Sequence, residues 1–249
     1  MSAFWLYTVI VLSSFFGGLL QTLCGFGGGV VLLLALSPFY GLITAPALSL
    51  AICIFMVAFL TVRFRRHIEW KLVILPTVAY LITGTLINRL LNKDMNTDLI
   101  GFLFGVFQVL LSVYYLFLVK KVRAKPSLLT GIVCGGISGI TGSLFGIGGP
   151  MLAVYLIAAS KDKQSFAANI QSIFLVTNLV LVIGKLRSGF YTADCITPTL
   201  AGGISILLGT LLGVRFMQKL DAEKMKKFVY VFLGVSGIIT IFQYIKCFG

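Results

Sequence analysis

The stretch Leu23–Leu36, LCGFGGGVVLLLAL, sets a run of glycines inside sequence apolar enough to lie in a membrane. Gly25, Gly27, Gly28 and Gly29 place four glycines in five residues. Each glycine costs about 1 kcal/mol against alanine in a helix interior. A chain that needed one unbroken helix here would not carry them, so the run marks an interruption, and the rest of the sequence has to supply its purpose.

The surroundings are those of an integral membrane protein. Of 249 residues, 59% are hydrophobic and 11% charged, with a mean hydropathy of +1.05. Soluble domains carry roughly 25% charged residues. No polar segment is long enough to form a soluble domain, so residues 1–249 are expected to form a single transmembrane domain. Apolar segments run at 4–23, 28–40, 43–62, 72–91, 98–119, 127–145, 150–160, 166–184, 196–217 and 228–245. Most approach the ~20 residues that cross a bilayer as helix. Segments 28–40 and 150–160 are shorter, about 16–20 Å as helices, and each directly follows a glycine cluster. The fold class expected is all-α and polytopic. The N-terminus, MSAFWLYTVIVLSSFFGG, has no basic leader region of the signal-peptide kind. It is expected to stay in the mature protein.

The two glycine clusters match each other. GFGGG at 25–29 aligns with GIGGP at 146–150, an offset of 121 residues. Gly18 then meets Gly139, Thr22 meets Ser143, and Leu23 meets Leu144. Further on, Pro76-Thr77 meets Pro198-Thr199, GTL at 84–86 meets GTL at 209–211, and Gly105-Val106 meets Gly234-Val235. The chain reads as two repeats, 1–122 and 123–249, of about five apolar segments each.

Charge orients them. The net charge of +13 comes largely from RFRRHIEWK (63–71), KKVRAK (120–125), KDK (161–163) and KLDAEKMKK (219–227). Cytoplasmic loops collect lysine and arginine, which puts these four loops inside and both termini outside. The loop at 63–71 is then cytoplasmic and its repeat mate at 185–195 is not, so the repeats are inverted. The expected location is the cell (inner) membrane, as a multi-pass protein in the lipid bilayer.

Inverted repeats with interrupted helices near the midplane characterise many secondary transporters. A broken helix exposes backbone groups that lipid cannot satisfy, so the break has to line protein or a water-filled cavity. Each half-helix after a break begins with free N–H groups and a partial positive charge, which suits an anion. The candidate substrate-binding residues are therefore Gln21, Thr22, Gly25, Gly27, Gly28 and Gly29 in one repeat. In the other they are Ser143, Gly146, Gly148, Gly149 and Pro150, with Pro150 at a helix start. Asn169 and Gln171 join them from a polar run, Asn169, Gln171, Ser172, Thr177 and Asn178, inside segment 166–184. Against this stands close helix packing through small residues, which accounts for scattered glycines such as Gly17 and Gly101.

The duplicated glycine element, the length near 250 residues, and the segments APALSLA (45–51) and AANIQSI (167–173) resemble the TauE/SafE sulfite-exporter-like family of membrane permeases. The resemblance covers essentially the whole chain. It implies transport of small sulfur-containing or organic anions such as sulfite, sulfoacetate, thiosulfate or other sulfonates. One departure is that Gly29 stands where the second repeat has Pro150, so the two half-sites need not be equivalent.

Other classes fit less well. No interleaved basic and aromatic patch suits nucleic acid. The five cysteines, Cys24, Cys53, Cys134, Cys195 and Cys247, form no CxxC pair and have no histidine partners, so neither a metal site nor a cofactor is expected. The seven acids, Glu69, Asp94, Asp98, Asp162, Asp194, Asp221 and Glu223, fall in loops or at segment ends, and His67 is the only histidine. An intramembrane enzyme would need a nucleophile–base pair or metal ligands within the spans, so no catalytic residue is assigned. An anion-selective channel is the remaining alternative; it would give single-channel currents where a permease gives saturable flux. The oligomeric state is not legible.

Overall fold

The computed structural model describes residues 3–90, 97–118, 127–216 and 222–245. Among these there is no β-strand. The helices are α1 (Ala3–Cys24), α2 (Gly28–Phe64), α3 (Trp70–Leu90), α4 (Thr97–Val113), α5 (Leu128–Phe145), α6 (Gly149–Ala159), α7 (Lys163–Arg187), α8 (Ile196–Phe216) and α9 (Ala222–Ile245). A π-helical turn, Tyr114–Leu118, continues α4. Six stretches are long and apolar enough to cross a bilayer: Phe4–Cys24, Ile43–His67, Trp70–Leu90, Leu128–Phe145, Lys163–Arg187 and Ala193–Phe216. The all-α, polytopic expectation holds.

Side-chain exposure follows from the solvent. On α3, Ile74, Val78, Ile82, Leu86 and Leu90 form an exposed stripe at four-residue spacing, while Val73, Thr77, Tyr80, Gly84 and Asn88 are buried. An exposed apolar stripe of this length would be a liability in water and is the expected face toward lipid. α8 repeats the pattern with Leu200, Ile204 and Leu208 outward. The inner faces carry small and polar side chains, which let backbones approach. A Cβ on Gly84 of α3 would sit 3.2 Å from the Gly139 carbonyl oxygen of α5. α1 lies along α8 and α3 along α5; α4 pairs with α9 and α2 with α7; α3 also touches α7, and α8 touches α2.

One boundary follows the sequence expectation and one differs. Segments 28–40 and 43–62 fall on either side of a break inside α2 at Gly41 (φ 68°, ψ 170°), with Gly28–Gly41 before it and the span from Ile43 after it. The junction has no polar residue to make a loop, and Gly41 takes a backbone angle that an L side chain avoids. At the matching place in the second repeat, Ser160–Asp162 separates α6 from α7, and the Asp162 carboxylate caps α7 by accepting from the Ser165 N–H at 2.7 Å. The boundary that differs is at Lys185, expected in a loop. It lies in the last turn of α7 and is buried. Basic loop 120–125, residues 219–221, Asp94 and Cys247 lie outside the described residues.

The loops at 65–69 and 160–163 meet at one end of the bundle. Asn169 Oδ1 accepts from the Glu69 N–H at 2.7 Å, Asn169 Nδ2 donates to Ser160 Oγ at 3.1 Å, and Lys161 pairs with Glu69 at 3.4 Å.

Candidate functional site

Both breaks form where the glycines predict. α1 ends at Cys24, and Gly25 (φ 84°) and Gly27 (φ 112°) turn the chain into α2. α5 ends at Phe145, closed by Gly146 (φ 69°), whose N–H donates to the Gly142 carbonyl at 2.9 Å. α6 begins at Gly149, with Pro150 one residue inside. These left-handed angles are open to glycine at little cost and to other L residues at roughly 1–2 kcal/mol.

The two breaks press against each other. A Cβ on Gly29 would fall 2.7 Å from the Gly146 carbonyl oxygen, and one on Gly149 would fall 2.5 Å from Phe26 Cβ. Where they meet there is a cavity. Gln21, Phe26, Gly27, Gly29 and Val30 wall it from the first break, and Gly146 to Pro150 from the second. Leu50 and Cys53 of α2, Tyr80 of α3, and Phe174 and Asn178 of α7 complete it. The space open to the centres of water molecules is about 30 Å³. That is room for about two waters, or for one ion of a few heavy atoms in their place.

A chain of side-chain bonds braces the first break. The Gly28 N–H donates to Gln21 Oε1 at 3.1 Å. Gln21 Nε2 donates to Gln171 Oε1 at 3.2 Å, and Gln171 Nε2 donates to the Gly25 carbonyl at 3.2 Å. One free N–H of the first half-helix is thus already taken. The second break is built differently. Gly148 gives α6 no side-chain cap. Gly142 occupies the repeat position of Gln21, and its missing side chain leaves room for the Tyr80 ring, against which Gly148 also packs. Tyr80 is 1% exposed, and its hydroxyl lies against Gly142 and Gly148.

Of the residues singled out from sequence, Gln21, Gly27, Gly29, Gly146, Gly148, Gly149 and Pro150 line the cavity. Gly25, Gly28 and Gln171 lie just behind it, in the bracing chain. The Thr22 hydroxyl turns back to the Gly18 carbonyl at 2.7 Å, and Gly213 of α8 packs against Thr22. Ser143 is fully buried, and its Oγ has no hydrogen-bond partner among the described residues. Asn169 bonds at the loop end, to the Glu69 N–H and Ser160. Sequence reasoning gave no role to Tyr80, Cys53, Phe26 or Phe174, and it named Asn178 only within the polar run. Helical spacing held the missing signal for α7. Residues 171, 174 and 178 share one face, whereas Asn169 lies about 200° around the helix from Gln171.

Among the described residues no carboxylate, lysine or arginine lines the cavity. Among the described residues no group of three His, Cys, Asp or Glu side chains is placed to hold a metal ion. What the site offers is backbone N–H dipole, amide, phenol and thiol in a water-poor interior. That set can desolvate and hydrogen-bond a small polar solute.

An apolar helical bundle whose interrupted helices wall a buried pocket is the architecture of a membrane transporter. The curated relatives include a probable membrane transporter protein of Methanocaldococcus jannaschii, 23% identical over 255 residues that span 95% of this chain and 96% of that one. The family model described as Sulfite exporter TauE/SafE matches residues 10–240. The chain belongs to that family of membrane transporters. No solved structure matches it.

Proposed function

We propose that the chain is an alternating-access permease for a small sulfur-containing anion. The observation that carries this reading is the meeting of two helix breaks at one cavity, where the α6 start is uncapped by any side chain and no carboxylate faces in. A helix start of this kind favours an anion. The absence of acid from the cavity wall removes the repulsion that an anion would meet. Cavity size adds a preference. About 30 Å³ for water centres suits sulfite or thiosulfate better than sulfoacetate or taurine. Net movement follows the gradients, and an interior-negative potential assists anion export by about 2.3 kcal/mol per charge per 100 mV.

The packing supports two inverted repeats, 1–122 and 123–249. Exchanging the repeats turns the α1–α8 contact into α5–α3 and the α2–α8 contact into α7–α3. It maps α4–α9 and α2–α7 onto themselves. A two-fold axis in the membrane plane requires this pattern. The joining of two basic loops through Glu69, Lys161 and Asn169 supports a shared cytoplasmic end, with both termini outside and the protein in the cell (inner) membrane.

The test is uptake of radiolabelled sulfite, thiosulfate, sulfoacetate and taurine into proteoliposomes, with and without an imposed potential. Asn178→Leu keeps the shape of that side chain and removes its polar end. Saturable flux of a small anion, with KM raised in Asn178→Leu, is the expected result. Flux of none of the four, or unitary currents in place of saturable flux, overturns the reading.

A further inference from the structure

Among the described residues, Lys185 is the only charged side chain that is buried, with 1% of its surface exposed. Among the described residues no carboxylate pairs with it. The Lys161–Glu69 ion pair lies at the other end of α7. The Lys185 ammonium instead sits 5.3 Å from the centroid of the Phe190 ring. A buried charge without a counter-charge is costly, and such groups inside membrane proteins commonly mark a solute pathway.

Local structure explains Phe190 but not the lysine. α7 ends in a Schellman closure. Gly189 (φ 70°) donates to the Leu186 carbonyl at 3.1 Å, and the Phe190 N–H donates to the Lys185 carbonyl at 2.9 Å. That closure brings residues 185 and 190 together, usually as an apolar pair. A leucine or methionine would serve it without an unpaired charge. At the 121-residue offset, the repeat mate of Lys185 is Phe64, also buried at the end of its helix. Packing at this position is therefore satisfied by an apolar side chain, and the ammonium is an addition to it.

A second buried polar group packs on the residue before it. Asn88 of α3 packs against Gly184, is 5% exposed, and has no hydrogen-bond partner for Oδ1 among the described residues. Turning its amide over would present the two N–H donors there instead. Asn178 lines the central cavity, and Lys185 follows it by seven residues on the same face of α7, about 10 Å further along. Exposed Arg89 and Arg187 end α3 and α7 at this same end.

We propose that Lys185 and Asn88 form a second anion site, a waiting position between the central cavity and the side of the membrane opposite the 63–71 loop. It would take the same small oxyanion through the ammonium and an amide donor. The proposal rests on the anion reading above for the identity of its ligand. Lys185 is shielded from the lipid face, so the anion in question is a free solute rather than a lipid headgroup.

The experiment has two arms, both in vesicles of phosphatidylcholine alone, where no anionic headgroup is present. In the first, Lys185→Met and Lys185→Arg are compared with the unsubstituted chain for sulfite and thiosulfate flux in each direction. The expected result is a KM raised about tenfold or more in Lys185→Met from the Lys185 side, with Lys185→Arg close to the unsubstituted chain. In the second, acylation of Lys185 in the unsubstituted chain is followed by mass spectrometry, with Lys161 as an exposed reference. Sulfite or thiosulfate should slow acylation of Lys185 and leave Lys161 unchanged. Unchanged KM in a folded Lys185→Met overturns the second site. If that variant does not fold, equal acylation of Lys185 with and without both anions overturns it. If the unsubstituted chain carries no anion yet sulfite or thiosulfate protects Lys185, the permease reading fails while the binding site stands.

Discussion

Gln21→Glu separates an anion site from a site for any other solute. The introduced carboxylate would still accept from the Gly28 N–H, which is now 3.1 Å from Gln21 Oε1. It loses only the donation to Gln171, a bond of 3.2 Å. Losing that bond costs on the order of 1 kcal/mol, and burying a carboxylate where Gln21 is 4% exposed adds a desolvation cost that the Gly28 N–H and the helix start offset only in part. The electrostatic effect on a bound anion is separate. Gln21 lines the cavity, so a bound monoanion would lie about 5 Å from the new charge. Two like charges at that distance repel by about 3 kcal/mol at an effective dielectric constant near 20. Every 1.4 kcal/mol is tenfold, so KM for sulfite should rise on the order of a hundredfold. Acidification that protonates the carboxyl should reverse part of the rise. Gln21→Met is the uncharged control. It leaves the Gly28 N–H without its partner and should cost about 1–3 kcal/mol of stability, without the pH-dependent loss of affinity. The assay is concentration-dependent sulfite uptake across a pH series, with folding checked by size-exclusion and thermal melting. A KM that is unchanged or lower in folded Gln21→Glu would refute the anion assignment, and tighter binding of a cation would replace it.

Gly149→Ala should lower the melting temperature, because its Cβ would fall 2.5 Å from Phe26 Cβ and overpacking of this kind costs about 1–3 kcal/mol; an unchanged melt would mean that the two breaks are free to separate. Asn169→Ala removes the acceptor for the Glu69 N–H and should cost about 1 kcal/mol with little change in KM, whereas a large KM effect would return Asn169 to the binding site. The Ser165 backbone N–H holds the Asp162 carboxyl below its ordinary value. The cap is therefore in place above the ordinary carboxylate range and is lost as pH falls through the lowered value. Asp162→Asn should flatten the acid limb of melting temperature against pH, and an unaltered limb would assign it to other groups.

The sequence carried the breaks because glycine leaves a mark that no neighbour can disguise. Clusters at 25–29 and 146–149, repeated at a fixed offset, could be read without knowing what packs on them. The same legibility did not extend to the cavity wall. Tyr80 reaches the site only because Gly142 and Gly148 leave space for its ring, a relation across three helices that no local pattern records. Thr22 and Ser143 stand in the sequence as hydroxyls just before each break. A hydroxyl in a membrane helix can satisfy itself on the carbonyl four residues back, as Thr22 does with Gly18. Lys185 was missed for a related reason. The charge itself suggested a loop, and only the tertiary packing of α7 shows it inside.

At Gly29 the two breaks meet backbone to backbone, with no long side chain before the Gly146 carbonyl, while Phe26 packs on Gly149 beside them. Flexible side chains act as a compliant layer between helices, and at Gly29 that layer is missing. On the alternating-access reading proposed above, a displacement of α6 would be passed directly to the start of α2, and the two would move as a single joint. The cavity wall they share would then be dismantled and rebuilt in each cycle.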